Sequence, residues 1–105
     1  MEDRTNTRKK YRQGDVLLVP VEKQPEAFFK KREDGVVAYG EVTGHTHRII
    51  NGTVADLFEH GLYVNVDSGG KIVHDEHNAI DLDKGLYKVV IQREYTAGDV
   101  RRVVD

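Results

Sequence analysis

The chain has 105 residues, enough for one domain with a single modest core. Its 16 basic and 18 acidic side chains leave a net charge of −2, which excludes a broad basic surface for nucleic acid as its main feature. The absence of cysteine excludes disulfides, thiolate metal ligands and thiol nucleophiles together.

The first residues are polar and mostly basic. We predict that residues 1–10 form a flexible basic arm and that residues 11–105 form a single β-barrel domain. A nucleic-acid-binding role for the arm is the alternative to a merely solvated tail. No apolar run resembles a signal peptide or is long enough to cross a bilayer, so we expect a cytoplasmic protein.

Strand patterns begin at Tyr11. The run "GDVLLVPVE" predicts a strand in which Pro20 takes an edge or bulge position. Residues 25–34, "PEAFFKKRED", predict a helical turn or a short helix that ends at Gly35. The later apolar runs predict further strands, separated by turn residues: "VVAYGEV", "HTHRII", "VADLFE", "LYVNVD", "KIVH", "AIDL" and "LYKVVIQREY".

Two turns stand out within this series. Asn51-Gly52 predicts a hairpin between "HRII" and "TVADLF", and "DSGG" at 67–70 predicts a second turn of similar kind. Many short strands with almost no helical pattern predict an all-β fold. We expect a small antiparallel β-barrel or sandwich.

Four of the five histidines form two short pairs. Alternate residues of an extended strand point the same way, so His45 and His47 share a face about 7 Å apart along the backbone. His74 and His77 are three positions apart, so a turn in "HDEHN" must bring them together. Alternatively only one of that pair binds, and Glu76 completes the site or acts as a general base.

Imidazole nitrogens and carboxylate oxygens are suitable ligands for Zn, Fe, Mn, Ni or Cu. We therefore predict a divalent transition metal held by His45, His47, His74 and His77. Three ligands would leave an open position for water or substrate, whereas four would close a tetrahedral site. If the histidines are instead unrelated surface residues, their rings should lie apart from one another. The fifth histidine, His60 in "FEHGLY", is predicted to be a turn residue.

The motifs "GEVTGHTH", "HDEH" and "QREY" resemble those of a family of small bacterial and phage proteins without an assigned activity. This resemblance covers nearly the whole chain and implies that the motifs belong together. A looser resemblance links Gly40, His45 and His47 to the first motif of the cupins, which implies a metal-lined barrel. The glutamate that cupins place after the histidine pair is absent here, since "RIING" follows. The resemblance does not imply the usual ligand set of three histidines and one glutamate.

Three functions remain open, and the sequence does not decide whether the protein is an enzyme. The first is a metal-dependent hydrolase or oxygenase-type enzyme with Glu76 as general base. The second is a metal-independent phosphodiesterase, in which two histidines act as acid and base while Arg48, Lys88 or Arg93 holds the phosphate. The third is a non-catalytic module that binds a nucleotide, nucleic acid or protein.

We further expect an unidentified small-molecule or nucleotide partner and no membrane partner. Nucleic acid is an additional alternative because of the basic arm. A homodimer is expected because small barrels with exposed edge strands often pair.

Overall fold

The computed structural model describes residues 9–39, 44–92, 95–96 and 99–100. Most of the predicted basic arm over residues 1–10 lies outside these ranges. Within them the backbone forms strands, and no helix has the length and apolar character needed to cross a membrane. The strands are β1 (Tyr11–Gln13), β2 (Val16–Pro20), β3 (Phe29–Arg32), β4 (Val36–Tyr39), β5 (Thr46–Leu57), β6 (Gly61–His74), β7 (Ile80–Leu82), β8 (Gly85–Ile91), β9 (Tyr95–Thr96) and β10 (Asp99–Val100).

The two longest strands, β5 and β6, pair with each other and form the centre of the main sheet. Strands β3 and β4 both pair with the outer edge of β5, while β7 and β8 pair with the outer edge of β6. Strand β2 extends the sheet from β8, and β1 extends it from β2. β9 and β10 form a separate antiparallel pair.

Every pairing among the described strands is antiparallel, which confirms the predicted all-β class. The order β1-β2-β8-β6-β5-β3 leaves β1 and β3 at the two ends of the path. The described strands therefore form an open sheet rather than a closed barrel, which agrees with the sandwich-like form of the prediction.

The predicted hairpin at Asn51-Gly52 is not formed, because β5 continues through both residues. The register between β5 and β6 shifts between Ile50 and Gly52, and Asn51 adopts a φ of 57°. The Asn51 side chain donates a hydrogen bond to the carbonyl oxygen of Gly69, at 3.4 Å, within the "DSGG" segment of β6. The two segments predicted to be turns, Asn51-Gly52 and "DSGG", therefore lie opposite each other in the two-stranded ribbon of β5 and β6. They coincide with the shift in its register.

The chain reverses direction between β5 and β6 at residues 58–60 instead. The amide of His60 donates to the carbonyl oxygen of Leu57 at 2.8 Å, and Glu59 adopts a φ of 67°. His60 is therefore a turn residue, as predicted.

Residues 25–34 contain β3 rather than the predicted short helix. The apolar residues Phe28 and Phe29 are adjacent, so they do not form the three- or four-residue repeat that a helix needs to bury one face. Pairing with the edge of β5, from Phe29 opposite Leu57 to Arg32 opposite Val54, satisfies the backbone instead.

The core consists of aliphatic side chains and tyrosine, whereas all three phenylalanines are exposed. Alternation along β8 buries Tyr87 and Val89 on one face. The larger core cluster contains Val16, Leu18, Val37, Ala38, Ile49, Val54, Val64, Val66, Ile72, Leu82, Tyr87 and Val89.

Contacts between two tyrosines and the β7–β8 turn hold β1 near β7. The amide of Asp83 donates to the Tyr11 hydroxyl at 3.3 Å, and the Tyr87 hydroxyl donates to the Asp83 carbonyl at 2.7 Å. The two rings also meet edge to face, with their centroids 5.9 Å apart. These contacts position the turn between β1 and β2 over one end of the β5–β6 ribbon.

Neighbouring leucines on β2 provide a test of this core. Leu18 is 1% exposed, whereas Leu17 faces the other way and is only partly buried. We expect Leu18→Ala to lower the free energy of unfolding by about 2–5 kcal/mol, because it leaves a cavity in the core. Leu17→Ala serves as the matched control and should cost clearly less. Urea denaturation followed by circular dichroism measures both, and equal losses would contradict the assignment of the buried face.

Candidate functional site

Four imidazole rings lie together at the end of the β5–β6 ribbon that is distant from its turn. The His74 ring is central, with its centroid 4.2 Å from that of His47 and 4.5 Å from that of His77. The His45 ring meets His74 edge to face at 5.6 Å. His47 and His77 are nearly parallel, with 6.0 Å between centroids. The structure thus brings the two predicted histidine pairs together, and their role in metal binding stays a prediction.

The strand register explains why His47 and His74 meet. They are directly opposite each other on β5 and β6, and opposite residues of an antiparallel pair project from the same face. Alternation along β5 buries His47 and Ile49 while it exposes Arg48. On its other side His47 pairs with Ala38 of β4, whose small side chain leaves room for the ring.

The turn that His77 needs in order to reach His74 is present. β6 ends at His74, and the Nδ1 atom of this ring accepts hydrogen bonds from the backbone amides of Glu76, at 2.9 Å, and His77, at 3.2 Å. The Nδ1 lone pair is therefore engaged. In the neutral ring the proton must lie on Nε2.

A buried glutamine fixes the opposite tautomer at His47. The Gln13 amide nitrogen donates to the carbonyl oxygens of Ile72, at 3.2 Å, and Asn78, at 2.8 Å, so its oxygen must face the other way. That oxygen lies 2.9 Å from His47 Nδ1. Because an amide oxygen only accepts, His47 Nδ1 carries a proton, and in the neutral ring the lone pair is on Nε2.

The turn from Gln13 to Val16 brings backbone and a carboxylate against the same rings. Gly14 has a φ of +59°, and a Cβ added there would lie 2.9 Å from His77 Nε2 and 3.3 Å from His47 Cε1. The Asp15 side chain is 2% exposed, and its Oδ1 lies 3.9 Å from His47 Nε2. Neighbouring positive charge or hydrogen-bond donors stabilise a buried carboxylate, and the imidazole of His47 lies on this side of Asp15.

His45 and Glu76 lie on the solvent side of the cluster. His45 Nε2 is 3.7 Å from the Asp75 carboxylate, and its Nδ1 is 3.7 Å from that of Glu76. The His45 side chain is 25% exposed, while both carboxylates are more than half exposed. Glu76, the predicted general base, therefore faces His45 at the surface.

The four rings are close together, but their nitrogen atoms do not converge on a single position for a metal ion. Within residues 9–39 and 44–92, no three histidine, aspartate or glutamate side chains are already arranged as a metal centre. In the same part of the chain, the buried Nε2 of His77 has no hydrogen-bond partner. Two imidazoles bind one ion at about 2.0–2.1 Å each, so His47 and His77 must rotate to direct both Nε2 atoms at it.

The sequence analysis did not identify Gln13, Gly14 and Asp15 as site residues. They are far from the histidine motifs along the chain, and only the folding of β1 against β7 brings them there. The available signal was the polar triplet "QGD" directly before the apolar run "VLLVP", because polar residues beside a buried strand are candidates for a site.

A family model described as "Domain of unknown function (DUF8820)" matches residues 12–92. The chain belongs to this family. The part that matches DUF8820 includes both the turn from Gln13 to Val16 and the histidine cluster, so the whole candidate site lies within the domain. Comparisons of this DUF8820 chain with curated proteins and with solved structures give no match.

The tautomers assigned in this DUF8820 domain are testable by NMR. At a pH where the rings are neutral, two-bond ¹H–¹⁵N correlations should show the proton on Nδ1 in His47 and on Nε2 in His74, because each ring has a different hydrogen-bond partner at Nδ1. His60, in an exposed turn, provides the reference spectrum. A proton on Nε2 of His47 would contradict the role of Gln13.

Proposed function

We propose that this domain binds one divalent transition metal ion in the histidine cluster at the end of the β5–β6 ribbon. The observation that carries this proposal is the buried pair of Gln13 and His47. The Gln13 side-chain oxygen lies 2.9 Å from His47 Nδ1, while Nε2 of the same ring lies 3.9 Å from the Asp15 carboxylate. Metal-binding histidines characteristically donate a hydrogen bond from their other ring N–H to an accepting oxygen, which fixes the tautomer and orients the ring.

The charges around the cluster support a cation. Three carboxylates lie beside the imidazoles: Asp15 inside, and Asp75 and Glu76 at the surface. The donors are nitrogen and oxygen atoms without sulfur, which suits zinc, iron, manganese or nickel. An ion at this place would neutralise part of the negative charge that the fold brings together.

For activity, we propose a metal-dependent hydrolase or oxygenase-type reaction on a small molecule. A bound ion with an open position would polarise a substrate or acidify a bound water. Glu76, whose side chain is 55% exposed, lies at the solvent side and is the candidate general base. A homodimer and a nucleotide substrate stay predictions of the sequence.

Acid–base chemistry without metal is the second candidate, favoured by the opposite tautomers of His47 and His74. Their rings are 4.2 Å apart, one with an accepting Nε2 and one with a donating Nε2. The cations that should hold a phosphate are placed elsewhere, however. Arg48 is exposed on the opposite face of β5, and Lys88 donates to the carbonyl oxygen of His60 at 3.2 Å. Arg93 lies outside the described residues.

Metal titration tests the leading proposal. Untagged protein stripped with a chelator should bind one zinc ion per chain by calorimetry. Loss of a side chain that only supports a ligand typically weakens metal binding by about tenfold to hundredfold. His77→Ala removes a nitrogen ligand itself, so it should weaken zinc binding by at least this factor. His60→Ala, in the distant turn, is the matched control and should bind like the wild type.

Two results would contradict the proposal. One is wild-type protein that takes up no metal, and the other is an equal loss of binding in both histidine variants. Hydrolysis of RNA or a cyclic nucleotide by chelator-treated protein would favour the metal-free candidate.

A further inference from the structure

We infer that the protein ligands of the ion are the Asp15 carboxylate and the Nε2 atoms of His47 and His77. On this inference His74 and His45 are not ligands, although they belong to the same cluster. The inference rests on the proposed function and deepens it, because it defines the ligand set of the site. It also makes the turn from Gln13 to Val16 one wall of the metal site.

The position of Asp15 relative to His47 fits two ligands of one ion. Two ligand atoms at about 2.0–2.2 Å from a zinc-like ion lie roughly 3.3–3.6 Å apart at the tetrahedral angle, slightly closer than the two donor atoms are here. Asp15 Oδ1 and His47 Nε2 are 3.9 Å apart, and both side chains are buried. In the neutral His47 ring the lone pair is on Nε2, because Gln13 accepts from Nδ1. The two donor atoms are therefore already close, and one of them is correctly protonated for binding.

The backbone of Gly14 leaves room between the two imidazoles. A Cβ at this residue would approach both His77 Nε2, at 2.9 Å, and the His47 ring, at 3.3 Å. The absence of a side chain therefore opens space beside the nitrogen that His77 would use. His47 and His77 both border this space, and Asp15 Oδ1 lies 3.9 Å from His47 Nε2.

Backbone hydrogen bonds exclude His74 from the ligand set. Its Nδ1 accepts from the amides of Glu76 and His77, which holds the turn together. The neutral ring then has its proton on Nε2, and a protonated nitrogen has no lone pair for a metal. His74 instead positions His77 through the turn.

His45 is excluded by the direction of its ring. Both of its nitrogens face carboxylates of the loop after β6, Asp75 on one side and Glu76 on the other, each at 3.7 Å. This places its donor atoms beside the surface acids rather than beside Asp15. His45, Asp75 and Glu76 therefore line the solvent-facing edge of the site, which we call its rim.

Two imidazoles and one carboxylate leave coordination positions open. Such a set is used by catalytic zinc sites and by non-haem Fe(II) sites, and the open positions accept water or an anionic oxygen of a substrate. The inference therefore favours an open metal site over a closed structural site with four histidines.

A pair of matched aspartate variants tests the ligand set. Asp15→Asn keeps the size of the side chain but removes its charge. Zinc affinity, measured by calorimetry, should fall by more than the roughly tenfold to hundredfold that is expected when a supporting residue is lost. Asp56→Asn, near the turn end of the β5–β6 ribbon and opposite Leu62, should leave zinc affinity unchanged. Circular dichroism and thermal unfolding of the metal-free variants show whether each one folds.

Zinc-edge X-ray absorption of the wild-type protein provides a measurement that does not depend on the folding of a variant. We expect about two imidazole rings per zinc, with oxygen donors completing the shell. Three or four imidazoles per zinc would overturn the inference, and so would folded Asp15→Asn protein that binds zinc like the wild type. Either result would leave the proposed metal binding intact. A wild-type chain that binds none of zinc, iron, manganese and nickel would overturn both.

Discussion

The register between β5 and β6 is the constraint on which the rest of the site depends. It places His47 directly opposite His74 on the same face of the ribbon, where the rings come within 4.2 Å. A shift by one residue would turn His47 to the exposed face and bring Arg48 inward, because side chains alternate along a strand. The buried neighbour Ile49, paired with Ile72, makes such a shift costly. The same pattern that buries the core therefore fixes the imidazoles.

A second constraint comes from the other end of the chain. Gln13 is 3% exposed and connects three segments, since it bonds the carbonyl oxygens of Ile72 and Asn78 and faces the His47 ring. Burial of such an amide is favourable only when its donor and acceptor are both satisfied. The result is a ring held in one tautomer, with a carboxylate, Asp15, at its other nitrogen. Gln13 and Asp15 therefore determine how the His47 ring is oriented, which the histidine motifs alone do not determine.

Strand periodicity was predicted well from the sequence, whereas two local turn and helix predictions were overridden by strand pairing. The His45/His47 and His74/His77 pairs were found because strand periodicity and a polar turn depend only on neighbouring residues. The Asn51-Gly52 signal predicted a hairpin, but pairing with β6 continues past it, so tertiary pairing overrode local turn preference. The helix expected at residues 25–34 became β3 because the edge of β5 was available. Asp15 was missed because its burial depends on β1 packing near β7, which no local pattern shows.

Anomalous diffraction at the zinc edge, from crystals of the wild-type protein grown with zinc, tests the central claim most directly. The account predicts one strong peak between β5, the β6–β7 loop and the turn from Gln13 to Val16, about 2.0–2.2 Å from ligand atoms of His47, His77 and Asp15. A cluster without a peak, with zinc only on surface histidines such as His60, would contradict it.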